Sequence, residues 1–286
     1  MTNCIELQGL CKAYPSFSLH NINLTLPGGT IMGLIGENGA GKTTTIKCIL
    51  NLVRRDAGTI TVMGHDNLEQ EQLAKVDIGV VLDECFFHDA LRPADLNRIL
   101  APIFPNWSTE LFHTYLSQFQ LPEKKLIKEF SRGMKTKLSL AAALAHRPKL
   151  LILDEPTAGL DPVVREEILD EFLAFIQDES HSILLSSHIT TDLEKIADYI
   201  TYLHQGQVVL SDTKDNILCQ YGRLSCTAAQ LLAIDPAELL QVRRGSYSCQ
   251  ALVPNLAAFR RAHPELTVDA VSLDEIMLFV AKGETL

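Results

Sequence analysis

Thr30-Ile31-Met32-Gly33-Leu34-Ile35 is a compact apolar run that passes straight into Gly36-Glu37-Asn38-Gly39-Ala40-Gly41-Lys42-Thr43. The first piece predicts a strand, and the second satisfies G-x-x-x-x-G-K-[ST] in full. Thr43 to Leu52 has helical character, so the loop has the strand before it and the helix after it that the pattern requires. Glycines let the backbone wrap a phosphate with its N–H groups turned inward, where larger side chains would block the approach. The start of the following helix adds partial positive charge. Lys42 is placed to reach the β- and γ-phosphates of a nucleotide, and the Thr43 hydroxyl to hold Mg2+. Kinases, GTPases, motors and transport ATPases all share such a loop, so the rest of the chain must decide among them.

A second apolar strand, Leu150-Leu151-Ile152-Leu153, ends in Asp154-Glu155. Ligands bind at the carboxyl ends of strands in parallel sheets. Asp154 is expected to orient Mg2+, and Glu155, one residue on, to polarise the attacking water as general base. An acidic pair after a strand is usually a solvated loop, but the phosphate loop upstream and Pro156-Thr157-Ala158-Gly159-Leu160-Asp161 downstream argue otherwise. A helix from about Pro162 to Gln177 and a strand from Ser182 to Leu185 continue the pattern of strands buried on both faces. Earlier, Ile5-Glu6-Leu7 and Leu19 to Leu26 read as short strands around the turn residues Pro15 and Ser16. About 84–147 is helix-rich, punctuated by Pro93, Pro102, Pro105 and Pro122, with Ser108 capping a helix from Thr109 to Phe119. After about Asp215 the pattern changes. Strands are expected at Arg223 to Cys226, Leu239 to Val242, Tyr247 to Val253 (after a turn at Gly245-Ser246) and Leu266 to Val271. Helices lie between the first and second strands and at Leu256 to Arg261, and the capping box Ser272-Leu273-Asp274-Glu275 opens a last one. This order, βαββαβ plus a helix, fits a small ferredoxin-like module.

By these motifs residues 1–215 closely resemble the ABC ATPase family. GENGAGKTTT resembles its Walker A, which implies nucleotide contacts from Gly36, Glu37, Asn38, Gly39, Ala40, Gly41, Lys42, Thr43 and Thr44. LLILDEP resembles its Walker B with the catalytic glutamate. AGLDP resembles the D-loop that touches the opposite subunit, and so singles out Asp161. SSHI resembles the H-loop, which makes His188 the γ-phosphate sensor working with Glu155. Phe130-Ser131-Arg132-Gly133-Met134 stands where the family writes L-S-G-G-Q, and opens a helix expected over Lys135 to Ala145. Ser131 and Gly133 are kept and would contact nucleotide held by the other subunit, whereas Arg132 replaces a glycine and Met134 a glutamine. Asp83 stands where the family has its Q-loop glutamine; its carboxylate could still ligate Mg2+ or a water. Tyr14 matches the aromatic that stacks on adenine, with a core-packed strand aromatic as the alternative. The S-x-G-M-K signature, Pro105-Asn106-Trp107 and the ending SLDEIMLFVAKG resemble the bacitracin-resistance or multidrug type of ABC-2 ATPase in Firmicutes.

The resemblance implies an α/β P-loop fold: a mostly parallel sheet with an antiparallel β subdomain and a helical insertion at about 84–147, in an ATPase domain of residues 1–215. Residues 216–286 would form a C-terminal α+β extension. It also implies a head-to-tail pair of ATPase subunits, identical or paralogous, driving an ABC-2 type permease, with export suggested by the sub-family alone. Phe86-Phe87 follows the Q-loop position, where the family forms a groove for the permease, although adjacent phenylalanines more often belong to a core. Composition agrees. With 25 Lys+Arg against 35 Asp+Glu the formal charge is −10, the wrong sign for nucleic-acid binding. A two-cassette translation factor with a basic linker and a coiled-coil repair ATPase both lack support in a single cassette without sustained heptads. Intact Lys42, Thr43, Asp154, Glu155 and His188 speak against a purely regulatory protein with a dead site. No signal peptide and no apolar run of about 20 residues is present. The expectation is a cytoplasmic protein, peripheral on the inner face of the plasma membrane through its permease. The scattered cysteines fit reduced thiols.

Overall fold

The computed structural model describes residues 2–245 and 248–284. In chain order the first elements are β1 (Asn3–Tyr14), β2 (Phe17–Pro27), β3 (Ile31–Ile35), α1 (Lys42–Ile49), β4 (Ala57–Val62), β5 (His65–Asp66), α2 (Glu71–Lys75) and β6 (Ile78–Val81). Three helices follow: α3 (Pro93–Leu100), α4 (Thr109–Gln118) and α5 (Arg132–Ala145). Next come β7 (Leu150–Asp154), α6 (Pro162–Phe175), β8 (Ser182–Ser187), α7 (Thr190–Ile196), β9 (Tyr199–His204), β10 (Gln207–Thr213) and α8 (Lys214–Gln220). The last part holds β11 (Gly222–Cys226), α9 (Ala228–Leu232), β12 (Gln241–Arg244), β13 (Cys249–Val253), α10 (Leu256–Ala262), β14 (Val268–Asp269) and α11 (Leu273–Lys282).

The central sheet has the order β10-β9-β3-β8-β7-β6, parallel throughout except for the β9–β10 edge. Every residue of β3, β7 and β8 is buried, as their unbroken apolar runs predict for strands covered on both faces. Side chains alternate across the pleat, so Leu151, Leu153, Ile183 and Leu185 enter one core while Leu150, Ile152 and Leu184 enter another. The first core is covered by α4 to α7. The second lies under α1 and the antiparallel sheet β2-β1-β4-β5. Truncating any of these leucines to alanine would cost about 2–5 kcal/mol.

The third sheet, β12-β13-β11-β14, is antiparallel at every pairing. With α9 and α10 it forms the expected split-βαβ arrangement around Leu224, Val242, Ala251 and Phe259. Pairing of β12 starts later than the sequence suggests, because Pro236–Glu238 makes a 3-10 turn and Leu240 N–H is the first to reach across, to Leu252 O at 2.8 Å. Ser246 and Tyr247, assigned to the turn and the next strand, lie outside the described residues. The capping box on α11 is present, Ser272 Oγ accepting from Glu275 N–H. Among the described residues no helix is long and apolar enough to cross a membrane.

Two other differences have local causes. β1 and β2 run for 12 and 11 residues, longer than the sequence suggests, and register shifts between Leu7 and Leu10, beside the left-handed Gly9 (φ 63°), break the alternation that would have marked them as long strands. Helix α5 begins at Arg132 and not at Lys135, because Ser131 Oγ caps it by accepting from Met134 N–H at 3.3 Å.

Candidate functional site

Register decides which loops meet. Ile35 pairs with Ser187, and Ser186 with Asp154, so the residues that follow the strand ends (Gly36, His188 and Glu155) leave three adjacent strands side by side. The phosphate loop then turns back under left-handed glycines. At Gly36 (φ 156°) a Cβ would stand 2.4 Å from Leu203 O, and at Gly41 (φ 113°) one would stand 2.5 Å from Leu19 Cδ2, so neither position admits another residue. Lys42 opens α1 with its side chain folded back, donating from Nζ to Gly36 O at 2.7 Å and lying 3.1 Å from Glu155 Oε1. Glu37, Asn38, Gly39 and Thr43 are exposed, Thr44 is half-buried, and Ala40 is buried.

Glu155 carries the centre of the site. Its backbone is left-handed (φ 52°), a conformation costing a non-glycine residue about 1–2 kcal/mol. Its N–H, bonded to both Ser186 O and Ser186 Oγ at 3.1 Å, holds it there. The carboxylate bridges Lys42 through Oε1 and His188 Nδ1 through Oε2 at 2.6 Å, and also accepts from His188 N–H at 3.2 Å. An ionised carboxylate only accepts, so Nδ1 carries the imidazole proton. Asp154 is 2% exposed and accepts from Ser186 Oγ at 2.5 Å.

Ser186 is therefore a functional residue that the sequence reading passed over, although it sits inside SSHI. A second missed group is Asp192, 2% exposed in the first turn of α7, four residues after His188. It accepts from Thr157 Oγ1 at 2.7 Å and Arg165 Nε at 2.6 Å, tying the segment after Glu155 to α6 and α7. The spacing of four residues from His188 to Asp192 was the only signal.

The remaining expected residues lie elsewhere. Asp161 caps α6, accepting from Val163 and Val164 N–H at 3.1 Å. Ser131 and Gly133 sit at the start of α5, packed tightly on α6: a Cβ at Gly133 would meet Val164 Cγ1 at 3.1 Å. Among the described residues no hydrogen bond or ion pair joins Ser131, Arg132 or Gly133 to the loop Gly36–Thr43. Asp83 Oδ1 is 2.7 Å from Arg132 Nη2. Tyr14 stands at the tip of β1, 40% exposed with Lys12 Nζ 5.6 Å from its ring centre, so it is not a core aromatic.

A strand–loop–helix phosphate cradle with a carboxylate–histidine pair at the neighbouring strand ends has counterparts among known proteins. Residues 19–158 match the family described as ABC transporter. A lantibiotic transport ATP-binding protein of Streptococcus pyogenes is 35% identical over 214 residues, which is 74% of this chain and 91% of that one. The chain belongs to the ABC transporter family. A bacitracin transport ATP-binding protein of Enterococcus faecalis is 35% identical over 212 residues, 73% of this chain and 69% of that one. A solved ATP-binding subunit of an ABC transporter superposes with a TM-score of 0.68 at 28% identity, covering 75% of this chain and 91% of the other. As an ABC ATPase, the chain binds and hydrolyses ATP and serves a membrane permease.

This ABC ATPase also has an apolar groove of about 400 Å³ between the central sheet and the helical segment, lined by Leu50, Leu82, Phe86, Leu100, Phe104 and His146. Phe86 is 73% exposed, whereas Phe87 packs against the core. His146 is buried, stacks on Phe104 with centroids 4.7 Å apart, and among the described residues has no hydrogen-bond partner at Nδ1; burial lowers its pKa.

Proposed function

We propose that this ATPase hydrolyses ATP at interfaces between two such subunits and thereby drives export through an ABC-2 type permease. The observation that carries the catalytic part is the Glu155 carboxylate held between Lys42 and His188 beside the phosphate loop. In this reading Tyr14 stacks on the adenine, the residues from Gly36 to Thr44 cradle the phosphates, and Lys42 exchanges Glu155 for the β- and γ-phosphates. Released from Lys42 but still bonded to His188, Glu155 is free to take a proton from the attacking water. His188, through Nδ1–H, keeps the Glu155 carboxylate aimed at that water and senses the γ-phosphate. Asp161, Ser131 and Gly133 act on the opposite subunit's nucleotide.

The donor set suits Mg2+. Among the described residues no three His, Cys, Asp or Glu side chains cluster as a cage, and Mg2+ is commonly held by one or two protein oxygens plus substrate phosphates. Thr43 and Asp154 would hold it, whereas Asp83 has its Oδ1 engaged by Arg132. The ion would neutralise charge building up between the β- and γ-phosphates. Export is supported by relatives named for lantibiotic and bacitracin transport, and docking of the permease by exposed Phe86 in its groove. The protein would then sit on the cytoplasmic face of the plasma membrane, with residues 1–215 as ATPase and 216–286 as extension.

Light scattering of Glu155→Gln tests the assembly. The variant should hold ATP without consuming it, run as a monomer alone and shift to a dimer with ATP, since a ligand bound only by the assembled form stabilises that form. A monomer under both conditions at tens of micromolar protein, several times the Kd of a ~10 µM association, would exclude a homodimer of that strength or tighter.

A further inference from the structure

The two substituted positions that the sequence singles out are in contact. Arg132, in the signature segment, and Asp83, at the Q-loop position, are 49 residues apart and joined Nη2 to Oδ1 at 2.7 Å. The guanidinium also lies over the D-loop, since a Cβ built at Gly159 would meet Arg132 Nη1 at 2.9 Å and Cζ at 3.3 Å. Arg132 thus stands where the Q-loop, the signature helix α5 and the D-loop converge, beside a polar cavity of about 470 Å³ lined by Asp83, Glu84, Arg132, Lys135 and Thr136.

Stability does not account for this pair. Its side chains are 54% and 52% exposed, and pairs so open to water contribute little to folding. A cation in the first turn of a helix is placed against the helix dipole, and α5 has no acid in that turn to offset it. Arg has five N–H donors in a rigid fork. One edge is engaged by Asp83, which leaves the others for an anion.

We propose that Asp83 is the positioning residue for Arg132, holding its guanidinium preset for the γ-phosphate of the nucleotide carried by the partner subunit. The two substitutions are then one unit: aspartate at 83 is useful because arginine is at 132. This rests on the two-subunit reading above. Without Asp83 a long, flexible side chain is released to solvent, and its ordering must be repeated in every assembled complex.

The experiment is a double-mutant cycle on the whole chain with Asp83→Asn, Arg132→Gly and the two together, measured as phosphate release against ATP, Mg2+ and protein concentration. Asp83→Asn should lower kcat about 10-fold with KM for ATP changed less than about 2-fold, as expected of a contact made only in the assembled, reacting complex and not when a single subunit binds ATP. In the Arg132→Gly background, Asp83→Asn should have no further effect. Asp83→Glu should recover most of the activity, and the Mg2+ concentration for half-maximal rate should stay the same. Losses that multiply in the double variant would overturn the proposal. So would a raised Mg2+ requirement that persists without Arg132, which would make Asp83 a direct participant at the metal. Failure of the two-subunit reading would show separately, as Glu155→Gln that stays monomeric with ATP, both alone and with a paralogous ATPase subunit added, while Asp83 and Arg132 are intact. Both side chains are exposed, so matching thermal midpoints will show that the variants fold.

Discussion

Replacing Glu155 by Gln should move two measurements in opposite directions. The Lys42 ammonium and the Glu155 carboxylate are 3.1 Å apart, their side chains only 6% and 13% exposed. At an effective dielectric constant of about 20, such a separation corresponds to an attraction of ~5 kcal/mol. ATP must draw Lys42 onto its phosphates and leave Glu155 facing a polyanion. If a quarter to a half of that attraction is given up on binding, ~1.3–2.7 kcal/mol, the neutral variant should bind ATP ~10–100-fold more tightly. Turnover should meanwhile fall ~10²–10⁴-fold with the loss of the general base. Calorimetric titration with Mg-ATP reads the first effect, and phosphate release the second. A variant damaged in folding would lose both, so the opposed signs are diagnostic. Unchanged or weaker binding would refute competition between carboxylate and phosphate for Lys42, and turnover within 10-fold of the parent would refute the role of Glu155 as base.

Lys42→Ala should weaken Mg-ATP binding by ~10–150-fold, the scale of one charge-assisted hydrogen bond; affinity within 3-fold of the parent, on the same free-energy scale of ~0.7 kcal/mol or less, would remove Lys42 from the phosphate site. Asp192→Ala leaves the buried Thr157 hydroxyl and the Arg165 guanidinium, 28% exposed, without their shared acceptor. The expected cost is ~2–4 kcal/mol, read as a drop of several degrees in thermal midpoint, and less than ~1 kcal/mol would contradict the network. His146 is held below its ordinary pKa by burial. The unfolded chain therefore takes up its proton first, and stability present above about pH 6.5 is lost as pH falls toward the folded-state value. Thermal scans at pH 7.5 and 5.5 should show a smaller decline in His146→Phe than in the parent, and an equal decline would count against the assignment.

The parts of the site that could be read from the chain are those whose chemistry is contiguous. GENGAGKT carries its strand, loop and helix in one stretch, and LLILDE carries a fully buried strand with its two acids. What escaped is held together across distance. The Arg132–Asp83 contact spans 49 residues, and neither side chain gives a local sign of the other. Asp192 reads as one more acid on a helix until Thr157 and Arg165 converge on it. The full length of β1 was hidden because a bulge breaks the two-residue period, and the start of α5 because the serine cap is followed within two residues by Gly133, a poor helix former. Ser186 was in view but unremarked, since its function depends on the pairing that sets it against Asp154.

The last helix bears on how separable the parts of this chain are. Leu273, Ile276 and Phe279 of α11 are buried in the same core as Leu193 and Ile196 of α7, and Leu273 N–H donates to Glu194 Oε1 at 2.8 Å. Helix α7 starts two residues after His188. A cut at residue 215 would therefore uncover apolar surface on the helix that follows the histidine, and the resulting fragment would be a poor stand-in for the whole ATPase. Grafting is constrained in the same way. A shorter relative given this extension would need an apolar α7 to receive it, and this chain given another's tail would need one that carries the equivalents of Leu273, Ile276 and Phe279.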